Sequence, residues 1–188
     1  MKVLLISFSI VFLGCQSKSD KSVFDQLKGQ KDIVISLKEF KLDSIPPAIN
    51  VLQGVERLTI LKDSAMSWVA YPPLSALGEQ LKLDSTSRLL PKEITELESL
   101  KSLSLFNLDL VSLPDDLYKL KNLDTLDLTL NKLVISQEID KLKKLTHLKF
   151  LNVGGNRAKK DDIVRLQSAM PATKIFQDTT LYSGLKRE

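Results

Sequence analysis

Histidine and cysteine are nearly missing from this chain, with one of each among 188 residues. A His/Cys metal site and a Cys-His or Ser-His nucleophile pair elsewhere in the chain are therefore largely excluded. A lone cysteine also forms no internal disulfide, so stability must come from packing. His147 reads as a solvent-side turn residue. Glycine and proline number seven each and aromatics make up 6%, which excludes collagen-like and low-complexity classes. The 27 basic and 23 acidic residues are interspersed, giving +4 at pH 7 without the clustered Lys/Arg of a nucleic-acid binder. Gly154-Gly155 is not followed by the Gly-Lys context of a phosphate loop and reads as a turn. Asp115-Asp116, beside Pro114, reads as an exposed turn rather than an acid/base pair. No catalytic residue, metal or cofactor is expected.

The longest apolar run is at the N-terminus. Lys2 precedes Val3 to Leu13, too short to span a bilayer permanently, and Gly14-Cys15 then gives way to polar Gln16 to Asp20. A cysteine placed directly after such a run resembles a bacterial lipoprotein signal, in which the leader is cut before a cysteine that then carries diacylglycerol. Gly14 and Cys15 match that pattern, whereas Phe12 and Leu13 depart from its usual Leu and small residue. The resemblance implies a signal peptide over 1–14, a lipidated Cys15 and a short tether over 15–21. Gln16 lacks the aspartate that in some bacteria retains lipoproteins at the inner membrane. The bacterial outer membrane is therefore the expected location.

What the chain has in excess is leucine, at 36 positions. They recur in phase. Leu100-x-x-Leu103-x-Leu105 returns 23 residues later as Leu123-x-x-Leu126-x-Leu128, followed by Asn131 and Leu133. Val55-x-x-Leu58-x-Ile60, Asp32-x-x-Ile35-x-Leu37 and Leu148-x-x-Leu151-x-Val153 fit the same template. The second half recurs as Ile45-Pro46-x-x-Ile49, Leu90-Pro91-x-x-Ile94 and Leu113-Pro114-x-x-Leu117, each followed by apolar residues at every third position.

This pattern resembles the leucine-rich-repeat family over roughly residues 32–177. Alternating apolar residues make a short strand with one apolar face, and the following three-residue spacing makes a helical or 3₁₀ segment. No single unit buries its apolar edge alone, so units stack into a right-handed coil around a shared leucine core. The expected architecture is an α/β solenoid of about six repeats, with parallel strands on the concave side and short helical segments on the convex side. Asn131 and Asn156 suit the tight bend after the strand, their amides satisfying backbone groups there. Residues 22–31 read as an N-terminal cap, opening at Ser22 and laying Phe24 and Leu27 over the first coil. Asp161 to Leu166 opens a closing helix, Pro171 interrupts it, and Lys174-Ile175-Phe176 forms a last strand. Residues 178–188 read as a tail.

Binding chemistry is expected on the strand face opposite the leucines. Counting along each repeat, the outward positions include Arg57, Thr59 and Leu61; Gln80, Lys82 and Asp84; Ser102, Ser104 and Phe106; Thr125, Asp127 and Thr129; Phe150, Asn152 and Gly154. Most are small and polar. Against them Leu61, Phe106, Leu130 and Phe150 stand out as exposed apolar groups that a partner would cover. Phe106 and Phe150 are expected roughly 10 Å apart, with Asp127 and Leu130 beside them. The candidate contact set is Leu61, Lys82, Phe106, Asp127, Leu130 and Phe150. Trp68 and Tyr71 are expected to fill the convex-side core, with a Trp-centred contact site as the alternative. The resemblance implies a binding module with a protein partner, anchored to a membrane through Cys15. The alternative is a structural envelope lipoprotein without a specific soluble ligand.

Overall fold

The computed structural model describes residues 24–63 and 88–177. Six strands make one parallel sheet: Asp32–Ser36 (β1), Arg57–Leu61 (β2), Ser102–Phe106 (β4), Thr125–Asp127 (β6), Phe150–Asn152 (β7) and Lys174–Phe176 (β8), hydrogen-bonded in that order. Two further strands, Arg88–Leu89 (β3) and Leu110–Ser112 (β5), pair with each other outside it. Each coil enters the sheet through one shared carbonyl. The N–H groups of Glu56 and Arg57 both donate to Lys31 O, those of Lys101 and Ser102 to Glu56 O, and those of Asp124 and Thr125 to Lys101 O.

Alternation along the strands sends Ile33 and Ile35, Leu58 and Ile60, Leu103 and Leu105, Leu126 and Leu128, and Leu151 and Val153 inward, all into one buried cluster. The convex segments meet them from the other side. Pro46, Pro91 and Pro114 each lie just ahead of a short 3₁₀ segment, at Pro47–Val51, Lys92–Glu96 and Leu117–Lys119. A proline fixes φ and donates no hydrogen bond, which suits the residue ahead of a helical turn. The fourth coil lacks that proline and forms the α-helix Ile135–Leu142 (α1); the fifth forms Lys160–Ala169 (α2). Glu138 of α1 is buried because its carboxylate accepts the Leu113 N–H at 3.2 Å and the Ser112 hydroxyl at 3.1 Å, tying the fourth coil to the third.

At the N-terminal end Phe24 is fully buried over the first coil with Leu27 packed beside it. The opposite end is closed by α2, whose Ile163, Leu166 and the adjacent Met170 join the core, and by β8.

The third repeat differs from expectation. Glu56 and Lys101, neighbours across the stack, are 45 residues apart, whereas Lys31 to Glu56 and Asp124 to Lys149 span 25 each. Strand β2 has β1 on one edge and β4 on the other, so a strand carrying Gln80, Lys82 and Asp84 has no place between them. Residues 88–100 instead supply the convex half of the coil that β2 begins, packing between the 3₁₀ segments of its neighbours. Lys82, Trp68 and Tyr71 lie outside the described residues, as do Cys15, the leader and the tail.

Candidate functional site

Strand register sorts the outward side chains of the concave sheet into three rows. The first, at the strand starts, runs Asp32, Arg57, Ser102, Thr125, Phe150, Lys174. The second runs Val34, Thr59, Ser104, Asp127, Asn152, Phe176. The third begins Ser36, Leu61, Phe106, and Thr129 and Gly154 follow it just beyond β6 and β7.

The first two rows are accessible over most of their length. Ser102, Thr125, Thr59, Ser104, Asp127 and Phe176 are half-buried, Val34 is 61% exposed and Phe150 45%. The third row is closed. Leu61 is 6% exposed, Phe106 4% and Thr129 0%.

The expected contact set must therefore be revised. Leu61 and Phe106 point away from the leucine core, as the alternation requires, yet both are buried; the period of a strand decides which way a side chain points, not whether that side is open. Phe106 and Phe150 do not cluster either. The rung level with Phe106 in β7's coil is Gly154, so Phe150 lies four residues back along the strand, roughly 13 Å at 3.3 Å per residue, in addition to two strand spacings. Leu130 is not on the concave face. It takes the left-handed conformation at φ 57° in the bend after β6 and lies over Gly155, where a Cβ would come within 2.5 Å of its Cδ2. Gly155, itself at φ 72°, is thus required both by the bend and by this neighbour.

Asp127 lies in the second row with Oδ1 accepting the Thr129 N–H at 2.9 Å and also its hydroxyl. Asn152, its register partner, repeats the contact, Oδ1 accepting the Gly154 N–H at 3.0 Å. Asn131 is buried in the bend. Its Nδ2 donates to Leu105 O at 2.7 Å and Leu128 O at 2.9 Å, and its Oδ1 accepts from Leu108 N and Leu110 N. Asn156 does the same one coil on, donating to Leu128 O and Val153 O and accepting from Leu133 N.

A rim of alternating charge borders the first row. Lys31 and Lys101 each sit 2.7 Å from Glu56, Lys149 lies 3.4 Å from Asp124, and Arg57 pairs with Asp32. Hydrogen bonds from Lys101, then Lys31, pull the Glu56 carboxyl down from 4.5 to about 2. At the other end of the strands the nearly buried Asp109 is held between Lys62 at 2.9 Å and Lys132 at 3.0 Å. Burial alone would raise its pKa, but the two ammonium groups outweigh it and the net direction is down.

Three contributors escaped the sequence reading. Lys174 and Phe176 belong to the face because β8 adds a sixth strand, a placement signalled by Ile175 falling in phase with Leu151. Val34, 61% exposed in the second row, adds an apolar contact that the expected set did not contain. His147 and the Asp115-Asp116 pair lie away from the concave strands, and among the described residues no group of three or more His, Cys, Asp and Glu could hold a metal ion.

No protein-family model matches the chain, and no curated protein sequence matches it. Solved structures do. A leucine-rich-repeat protein of Leptospira interrogans superposes with a TM-score of 0.58 at 23% identity over 82% of this chain. The chain has the leucine-rich-repeat fold. It spans 33% of the length of that Leptospira structure. An internalin C2 from Listeria monocytogenes (TM-score 0.44, 18% identity, 77% of this chain and 54% of that one) is also similar. So is the leucine-rich-repeat ectodomain of a receptor kinase from Arabidopsis thaliana (TM-score 0.44, 21% identity, 72% of this chain and 61% of that one). At these identities the likeness concerns the fold. In this protein the leucine-rich-repeat fold offers its first two concave rows as the open surface.

Proposed function

We propose that this protein is a non-enzymatic binding module of the bacterial envelope, anchored through lipid on Cys15, that takes a protein partner on the first two rows of its concave sheet. The observation that supports this most is the contrast between rows. Small hydroxyl side chains at Thr59, Ser102, Ser104 and Thr125, flanked by exposed Val34 and Phe150, lie on a strand framework pinned in register on both edges. Such a surface is preformed, so association orders few backbone groups, and the exposed apolar side chains gain by being covered.

A photo-reactive residue placed at Val34 or Phe150 on the concave face, and at exposed Val164 on α2, tests the reading in intact envelopes. A discrete protein adduct from the concave positions alone supports it. An adduct from Val164 alone supports the structural lipoprotein instead. The anchor is tested by fatty-acid labelling of the wild type and Cys15→Ala; equal label in both removes Cys15 from the proposal.

A further inference from the structure

One buried group narrows the chemistry of the partner. Asn152 is 3% exposed, its Oδ1 is used by Gly154, and its Nδ2 has no hydrogen-bond partner. The equivalent place one rung earlier is held by Asp127, whose Oδ1 makes the same contact to the N–H two residues on. The bend therefore needs only the oxygen of this side chain, and an aspartate supplies it. The amide NH₂ is additional, and a buried donor left unpaired is destabilising.

The neighbours of Asn152 point to what would pair with it. Lys174, in the first row of β8, is exposed, with its ammonium 5.0 Å from the centre of the Phe176 ring and no carboxylate partner among the described residues. Arg57, the other cation of that row, is paired to Asp32. Phe150 is the register partner of Lys174 and presents an open ring. An orphan donor, a cation without a carboxylate and an apolar ring thus share two adjacent strands, about 4.8 Å apart. A carboxylate is the acceptor that suits an amide N–H and an ammonium alike, and hydrogen bonds to an ionised acceptor are the stronger kind.

We propose that the concave face of β7 and β8 binds a carboxylate carried on a protein segment next to an apolar side chain. Asn152 Nδ2 and Lys174 Nζ hold the carboxylate and the Phe150 ring covers the apolar group. The inference rests on the concave-face reading above and adds the partner's chemistry. The carboxylate can come from an Asp or Glu side chain or from the C-terminus of the partner.

The test is selection of random displayed peptides on the full-length protein, followed by titration of synthetic copies. Expected are peptides in which an acidic group beside an aliphatic or aromatic residue is required. Replacing it by the amide weakens binding at least tenfold, and C-terminal amidation tells a terminal carboxylate from one on a side chain. Asn152→Asp keeps the bend contact, so it leaves the melting temperature within about 2 °C yet weakens binding at least tenfold; Lys174→Glu does likewise. In the wild type the Asn152 side-chain amide resonances shift on saturation, a response that a purely structural asparagine would not give. Peptides that are blocked by Val34→Arg or Thr59→Arg but need no carboxylate overturn this inference and leave the concave-face reading standing. Peptides indifferent to every concave substitution, or none selected, count against both. A truncated protein ending at Gln177 that gains tenfold in affinity assigns the site to the protein's own residues 178–188 and overturns the partner proposal.

Discussion

Single side chains carry the bends of this solenoid. Asn131 supplies two donor contacts to carbonyls and two acceptor contacts to N–H groups from inside the turn. Asn131→Ala should therefore lose about 3 kcal/mol, the cost of leaving several buried backbone groups unpaired. Asn131→Asp should be comparably harmful despite its shape, because a carboxylate accepts but does not donate and would face two carbonyl oxygens. Urea midpoints measure both, and a near-wild-type aspartate variant would contradict this account. The aromatic residues separate just as sharply. Phe106→Ala should cost about 3 kcal/mol as a buried ring, whereas Phe150→Ala should change stability by less than about 0.5 kcal/mol. The asparagine bonds were legible in the repeat pattern because the turn is local. Burial of Phe106 was not, since nothing within its own strand closes the third row.

At the scale of elements, charge reinforces the order of the stack. Lys31, Glu56 and Lys101 precede β1, β2 and β4, so the Glu56 carboxylate is shared by the coils on either side. Its folded pKa of about 2 lies below the ordinary 4.5, so the stabilisation it brings is complete above about pH 4.5 and is lost as pH falls from there toward 2. Glu56→Gln should remove that part of the acid dependence, flattening the fall in melting temperature between pH 5 and roughly pH 2.5. An unchanged acid limb would mean that other carboxylates govern it. Leu-Pro-x-x-Ile marked the convex segments well, since proline ahead of a turn and apolar residues at every third position are local signals. The strand expected to carry Gln80, Lys82 and Asp84 finds no edge between β2 and β4, which pair directly although Glu56 and Lys101 are 45 residues apart. Two residues of alternation are too little to show that a neighbouring edge is free to receive them.

Across the whole molecule, each coil contacts chiefly the coils beside it, so local stability depends on covered ends. Phe24 is the fully buried cover of the first coil. Phe24→Ala should lower amide-exchange protection most in β1, with a progressively smaller effect toward β6 and β7. Uniform loss in all strands would indicate a single cooperative unit and refute a nearest-neighbour stack. The stacking itself was determined by sequence alone: leucines in one phase give every unit an apolar edge that only another unit can bury, and Asn131 and Asn156 mark where the backbone must bend. What tertiary structure decided is which outward residues are open and which rungs exist. Leu61 and Phe106 share their phase with Thr59 and Ser104 yet are closed, Lys174 and Phe176 join the face because β8 pairs with β7, and β2 meets β4 directly. The reason is physical. Side-chain direction follows from local backbone geometry, whereas exposure and edge pairing depend on groups brought together from distant parts of the sequence.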